Sequence, residues 1–251
     1  MEGILKRNEI EEGCWSVHMG YASCAGTENF RDDTVCGDKA LSCHLPGGGR
    51  AVILSDGMGK GHVAATESNR AAGMLRRRLK RGMAVDQAVK EVNEYLMGCE
   101  QTEREMFATV DLLILDEHRG TALFYKLGAA PSYIIKKEPA GGRTCLKKVE
   151  GPALPVGILP AIKLSHSSAR LAAGDIIVMM SDGIFDSGWR CMAKEADLGD
   201  MACKPWMEDL LLAVSENEGP RHLAGRILGE AIKRNACGEG DDATVIVIRL
   251  R

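Results

Sequence analysis

Aromatic side chains are scarce in this chain: 3 Trp, 4 Tyr and 4 Phe among 251 residues. That argues against a nucleic-acid surface built on base stacking, and it leaves packing to Ala, Val, Ile, Leu and 12 Met. Charge of one sign is lacking too. A formal net charge of −3 supplies no basic field for polyanions, so proteins are the expected partners, with no nucleic acid. No apolar run approaches the roughly 18 residues of a membrane span. The opening MEGILKRNEIEEG is charged and has no apolar core of a signal peptide. Nine cysteines, at 14, 24, 36, 43, 99, 145, 191, 203 and 237, contain no Cys-x-x-Cys pair, and the six histidines show no zinc spacing. An odd, irregular set of cysteines predicts reduced thiols in a cytoplasmic protein.

What the chain does have is three acidic motifs beside apolar runs: SDGMGKG at 55–61, SDGIFDS at 181–187 and GDDATVIVIRL at 240–250. AVILSDG and DIIVMMSDG share one design, a short buried-strand run ending in Ser-Asp-Gly. It delivers Asp56 and Asp182 to the edge of a sheet. The third segment reverses the order and places Asp241 and Asp242 at the entry of a strand. Three strand ends converging in this way predict one cation site. Carboxylates and backbone carbonyls are hard oxygen ligands suited to Mn²⁺ or Mg²⁺. Two such ions acidify a water between them and offset charge on a transferring phosphoryl group, so hydrolysis needs no Ser, Cys or His nucleophile. Gly57 and Gly183 are expected where the chain leaves a strand sharply, and Gly57 leaves its carbonyl accessible as a ligand.

Nine strand-like segments are predicted near 17–25, 35–44, 50–55, 107–116, 120–127, 131–137, 163–171, 175–181 and 243–250. Two helical blocks interrupt them, at about 61–98 with a break at Gly82 and at about 204–236 with a break at Gly219 and Pro220. Two packed sheets with helices outside each account for that order. The 251 residues suffice for one domain. Some positions keep two readings. RRRLKR at 76–81 is either a docking patch or a solvated helix end. Asp111, inside TVDLLIL, is either a support for the cation site or a buried acid satisfied by a neighbouring strand. His62 is either an acid near the phosphate or a loop side chain.

The segments GDKALS (37–42), AVILSDGMGKGHVAATES (51–68), FATVDLLILD (107–116), LGAAPSYII (127–135), LPVGIL (154–159), LAAGDIIVMMSDGIFDS (171–187) and DDATVIVIRL (241–250) together resemble the phosphatase domain of the stage II sporulation protein E family, among the metal-dependent type 2C phosphatases. The resemblance spans residues 17–251 and leaves 1–16 as an N-terminal extension. It implies an α/β (α+β) fold, a four-layer αββα sandwich with two central, mostly antiparallel sheets flanked by helices. It also implies two Mn²⁺ or Mg²⁺ ions, with Asp56 bridging them, the Gly57 carbonyl on metal, and Asp182, Asp241 and Asp38 as the other metal carboxylates. Asp242 and Thr244 then shape the closing loop.

Two departures are visible. Gly128-Ala129-Ala130 stands where many relatives have Gly-Asp-Ser, which removes the aspartate of a third metal. No arginine clearly matches the phosphate-holding one of eukaryotic relatives, although Arg31 and Lys39 lie near Asp38. A serine/threonine phosphoprotein phosphatase follows as the expectation, acting in sporulation and sigma-factor regulation on a phosphorylated STAS-type anti-anti-sigma protein. Gly59, Gly61, Glu67 and Ser68 are its expected regulatory positions, with a regulatory partner or a homodimer acting through them. The alternatives are a hydrolase of small phosphate esters and a non-catalytic partner-binding regulator.

Overall fold

The structure, a computed structural model, describes residues 16–26, 35–59, 61–98, 106–137, 144–187, 206–235 and 240–251. Arg31 and residues 1–15 of the expected N-terminal extension lie outside the described residues.

Among the described residues, two five-stranded antiparallel sheets carry the fold. In the first, the order is β1 (Val17–Cys24), β10 (Ala243–Leu250), β9 (Ile176–Met180), β6 (Ser132–Lys137) and β7 (Thr144–Val149). In the second it is β2 (Asp38–His44), β3 (Arg50–Asp56), β4 (Val110–Asp116), β5 (Thr121–Leu127) and β8 (Ser167–Arg170). Helices α1 (Gly61–Lys80) and α2 (Val85–Gly98) cover the second sheet. A one-turn helix α3 (Asp182–Phe185) follows β9, and α4 (Trp206–Leu212) and α5 (Pro220–Arg234) cover the first sheet.

Strand alternation builds three apolar layers from these parts. In β3, Ala51 and Ile53 face α1 and α2, while Val52 and Leu54 face the other sheet. In β9, Ile176, Val178 and Met180 face α4 and α5, while Ile177 and Met179 meet Val52 and Leu54 in the layer between the sheets. Central strands are thus buried on both faces, which is why they read as continuous apolar runs. This is the αββα sandwich.

The structure also differs from the sequence expectation in places. β7 was not anticipated, because TCLKKV is an edge strand with exposed Lys147 and Lys148, in which only Val149 is buried. The strand expected from 107 begins at Val110, since Ala108 instead makes isolated bridges to Gly57 and Val156. α1 stops at Lys80, where Gly82 adopts φ +81° and its N–H returns to the Leu79 carbonyl at 2.9 Å. Of the basic run, Arg76, Arg77, Lys80 and Arg81 are exposed, and Arg78 pairs with Glu91 of α2 at 2.6 Å. Cys24, Cys36, Cys43 and Cys145 are free thiols. Among the described residues no helix is long and apolar enough to cross a membrane.

Candidate metal centre

Asp56 is the last residue of β3 and pairs in register with Asp38, the first of β2. Asp182 opens α3 directly after β9, and Asp241 lies just before β10. Because β9 and β10 are antiparallel neighbours, the end of one and the start of the other share an end of the first sheet. A cavity of about 260 Å³ opens there, lined by Asp56, Gly57, Asp182 and Asp241 together with Thr109, Gly128 and Pro155. Asp38 does not line it; this residue stands beside Asp56 on the neighbouring strand, and its Oδ2 accepts from Ser181 Oγ at 2.7 Å.

Helix α1 seats against the Asp56-Gly57 segment. A Cβ on Gly57 would lie 1.9 Å from the Ala64 carbonyl oxygen, so this position is glycine for close helix approach and not for a sharp turn. Gly183 has the same reason, since its Cβ would fall 2.2 Å from the Asp242 carbonyl oxygen. Buried Glu67 reaches back from α1, and its Oε2 accepts from the Met58 N–H at 3.1 Å. Ser68, also buried, donates to the Ala65 carbonyl within the helix. Positive φ appears one step later, at Gly59 (+94°) and Gly61 (+63°).

Hydroxyls and one further carboxylate hold the ligand-bearing backbone. Thr109 N–H donates to the Asp56 carbonyl at 2.8 Å, and its Oγ1 accepts from the Asp56 N–H at 2.8 Å. Ser181 Oγ accepts from the Thr244 N–H at 2.9 Å while donating to Asp38. Asp242 points away from the cavity and accepts from the Gly26 and Gly37 N–H groups, both at 2.8 Å. That carboxylate closes the chain on either side of 27–36 and fixes the approach to Asp38.

The electrostatics call for a cation. Burial, and then the charges of Asp38, Asp182 and Asp241, push Asp56 up to about 9 from 3.8. Burial also dominates at Asp38, raised to about 7 with Asp242 and Asp182 adding to it, against the lowering effect of hydrogen bonds from Ser181 and Thr244. Among the described residues, Asp38 Oδ1 is buried without a hydrogen-bond partner. A set of like charges, an orphaned carboxylate oxygen and an all-oxygen donor set fit Mg²⁺ or Mn²⁺. Among the described residues no three acidic, thiol or imidazole groups close on a single point, so an ion here would complete its shell with the Gly57 carbonyl and water.

A pH dependence follows. Both folded-state values stand above the unfolded 3.8, so the folded chain holds protons that the unfolded chain has released. Without a cation these groups cost nothing below the unfolded value; above it they reduce stability progressively, until the loss levels off at about 7 for Asp38 and about 9 for Asp56. Their contribution to the melting temperature in EDTA should fall between about pH 5 and pH 9, and saturating Mn²⁺ should remove the fall by replacing the protons. Thermal melts of the parent and of Asp56→Asn across that window isolate it; parent and variant with the same pH profile in EDTA would contradict the assignment.

The other singled-out positions fall outside the cavity lining. His62 is exposed in the first turn of α1. Alternation along β2 turns Lys39 to the face opposite Asp38, and among the described lining residues none is Arg or Lys. Asp111 is fully buried, and its Oδ2 meets Lys126 and Ser132; it is not among the residues that line the cavity. Sequence reasoning passed over Thr109 and Ser181, single hydroxyls whose partners lie 53 and 143 residues away. The Ser in both Ser-Asp-Gly motifs was a usable signal for Ser181.

Known proteins share this fold. The sequence profile of the family "Stage II sporulation protein E (SpoIIE)" matches residues 46–251. The chain is 32% identical over 216 residues to stage II sporulation protein E of Bacillus subtilis (strain 168), a match that takes in 86% of this chain and 24% of that protein. It therefore spans about a quarter of that curated relative's length. Among solved structures, the PP2C phosphatase domain with a fragment of the regulatory domain of the Bacillus subtilis protein superposes with a TM-score of 0.74 at 30% identity, covering 93% of this chain and 63% of that one. RsbX in complex with magnesium shares the fold alone, with a TM-score of 0.66 at 14% identity over 97% of this chain and 99% of that one. The chain belongs to the stage II sporulation protein E family and is a PP2C-type phosphatase domain of it.

Proposed function

We propose that the chain hydrolyses phosphoserine and phosphothreonine in a folded protein, with two Mn²⁺ or Mg²⁺ ions held by Asp56, the Gly57 carbonyl, Asp182 and Asp241, and with Asp38 completing the set. The observation that carries this reading is the arrival of Asp56, Gly57, Asp182 and Asp241, from both sheets, in the lining of a single cavity. Bound cations would acidify the attacking water and offset charge on the phosphoryl group. Thr109, bonded to both backbone polar groups of Asp56, orients the carboxylate that would hold the cations. Ser181 holds Asp38 beside it. No His, Cys or Ser lines the cavity among the described residues, and Thr109 Oγ1 is taken up by the Asp56 N–H; with the three aspartates engaged by cations, this supports direct attack by water without a phosphoenzyme.

The substrate is proposed to be a phosphorylated STAS-type anti-anti-sigma protein, in cytoplasmic partner-switching signalling; membership of the sporulation family supports it. Mn²⁺-dependent phosphate release should be faster from such a protein than from its phosphopeptide or from p-nitrophenyl phosphate. Equal rates on all three would favour a small-ester hydrolase, and no release from any would favour a non-catalytic regulator.

Control is proposed to run through α1, with a regulatory partner or a second copy of the chain acting on it. Glu67 bonds the Met58 N–H beside the Gly57 carbonyl, and Ala64 packs on Gly57 itself, so a shift of this helix moves a metal ligand. Gly61→Ala forces an L side chain to φ +63° and should raise the Mn²⁺ concentration needed for half-maximal turnover severalfold, while the domain still folds. Turnover against Mn²⁺ concentration decides; an unchanged curve in a folded variant would uncouple this turn from the metals. Gly59, Glu67 and Ser68 are the companion positions.

A further inference from the structure

Two residues from the cavity, between the sheets, sits an ion pair that the proposed chemistry does not use. Lys126 Nζ lies 2.6 Å from Asp111 Oδ2, and both side chains are 1% exposed. Asp111 and Lys126 are register partners on β4 and β5, so the pair belongs to the second sheet. Its third member comes from the first sheet. Ser132, opening β6 and fully buried, accepts from Lys126 Nζ at 2.9 Å and donates to Asp111 Oδ2 at 3.0 Å. Asp111 also pairs across strands with Leu54, which shares its face of β3 with Asp56 two residues on. One strand repeat, about 6.8 Å, therefore separates the triad's level from that of the candidate bridging carboxylate.

Stability does not account for such a group. Burying an ion pair costs desolvation, and well-packed apolar side chains of similar volume commonly serve as well or better. Here the pair also leaves Asp111 Oδ1 buried without a hydrogen-bond partner among the described residues. What the triad does supply is direction. Apolar contacts between sheets tolerate sliding, whereas a hydroxyl held between an ammonium and a carboxylate fixes one spacing. That spacing has a use at this end of the sandwich, because Asp56 and Gly57 come from the second sheet while Asp182 and Asp241 come from the first. Of the other polar ties between the sheets, Lys136 to the Arg170 carbonyl is exposed, and Ser181 to Asp38 engages a candidate ligand itself. Ser132 engages none.

We infer that Ser132, with Lys126 and Asp111, is a positioning device that sets the distance between the two sheets' metal ligands, and so sets metal affinity. This rests on the metal-pair reading above. Ser132→Ala cuts the tie and leaves the ion pair intact within its own sheet. The double variant Asp111→Leu with Lys126→Met replaces the pair by apolar groups. Calorimetric titration with Mn²⁺ should show affinity about tenfold weaker in both, with melting temperatures in EDTA close to the parent's. Parent-like affinity in a folded Ser132→Ala chain would overturn the inference, and that single variant decides if the double one fails to fold. Affinity lost in proportion to melting temperature would also overturn it, as a purely structural role predicts. A parent that binds no Mn²⁺ would instead overturn the metal-pair reading and this inference with it.

Discussion

Asp56→Asn should lose phosphatase activity by about a thousandfold or more while the domain keeps its fold. The change is nearly isosteric but removes the charge on which the cation site depends. Stability should move the other way. Asp56 is raised to about 9 by burial and by three neighbouring carboxylates, so above the unfolded value the parent must either keep a proton there or bear the repulsion, and an amide does neither. The melting temperature in EDTA above about pH 7 should equal or exceed the parent's. Phosphate release at saturating Mn²⁺, with thermal melts on the same samples, reads both effects. A variant with parental turnover would remove Asp56 from the site. Asp182→Asn and Asp241→Asn should also lose activity, because they line the same cavity from the opposite sheet.

Gly57→Ala should be the most damaging methyl addition in the site. Its Cβ would stand 1.9 Å from the Ala64 oxygen and 2.6 Å from the Ala64 carbonyl carbon, both backbone atoms of α1. Either the helix or the metal loop must move, and overpacking of this kind costs about 1–3 kcal/mol. For a domain of this size each kcal/mol lowers the melting temperature by about 2–4 °C. The larger effect falls on function, because the displaced segment carries both the Asp56 carboxylate and the Gly57 carbonyl. Activity should drop by about a hundredfold or more, even at saturating Mn²⁺. Melts and metal-dependent turnover test this; parental values for both would mean that α1 does not constrain the loop.

The parts of this molecule that the sequence exposes are those with local causes. AVILSDG and DIIVMMSDG announce buried strands and their carboxylate ends because both faces of β3 and β9 are covered, so apolarity runs unbroken to the motif. The break at Gly82 is equally local. β7 escaped because an edge strand needs apolar contact on few positions, and Lys147 and Lys148 mask its period. The one-turn helix at Asp182–Phe185 escaped because it is too short to show a period. Long-range partners are a different matter. Glycine at 57 reads as a turn signal, yet its cause is the backbone of a helix that passes over it. Asp111 reads as an acid in a strand, but its neutralisation by Lys126 and Ser132 depends on strand order and sheet stacking, which no spacing encodes. Asp38 is legible as an acid near the site, whereas its place across from Asp56, held by Ser181, is known only once β2 is paired with β3.

A crystal of the parent chain grown with Mn²⁺ and measured at the manganese absorption edge tests the central claim most directly. The account predicts two anomalous peaks about 3.5–4 Å apart in the cavity between Asp56, Asp182 and Asp241, with Asp56 between them. Full-occupancy manganese bound elsewhere, with this cavity empty at a concentration that supports turnover, would contradict it.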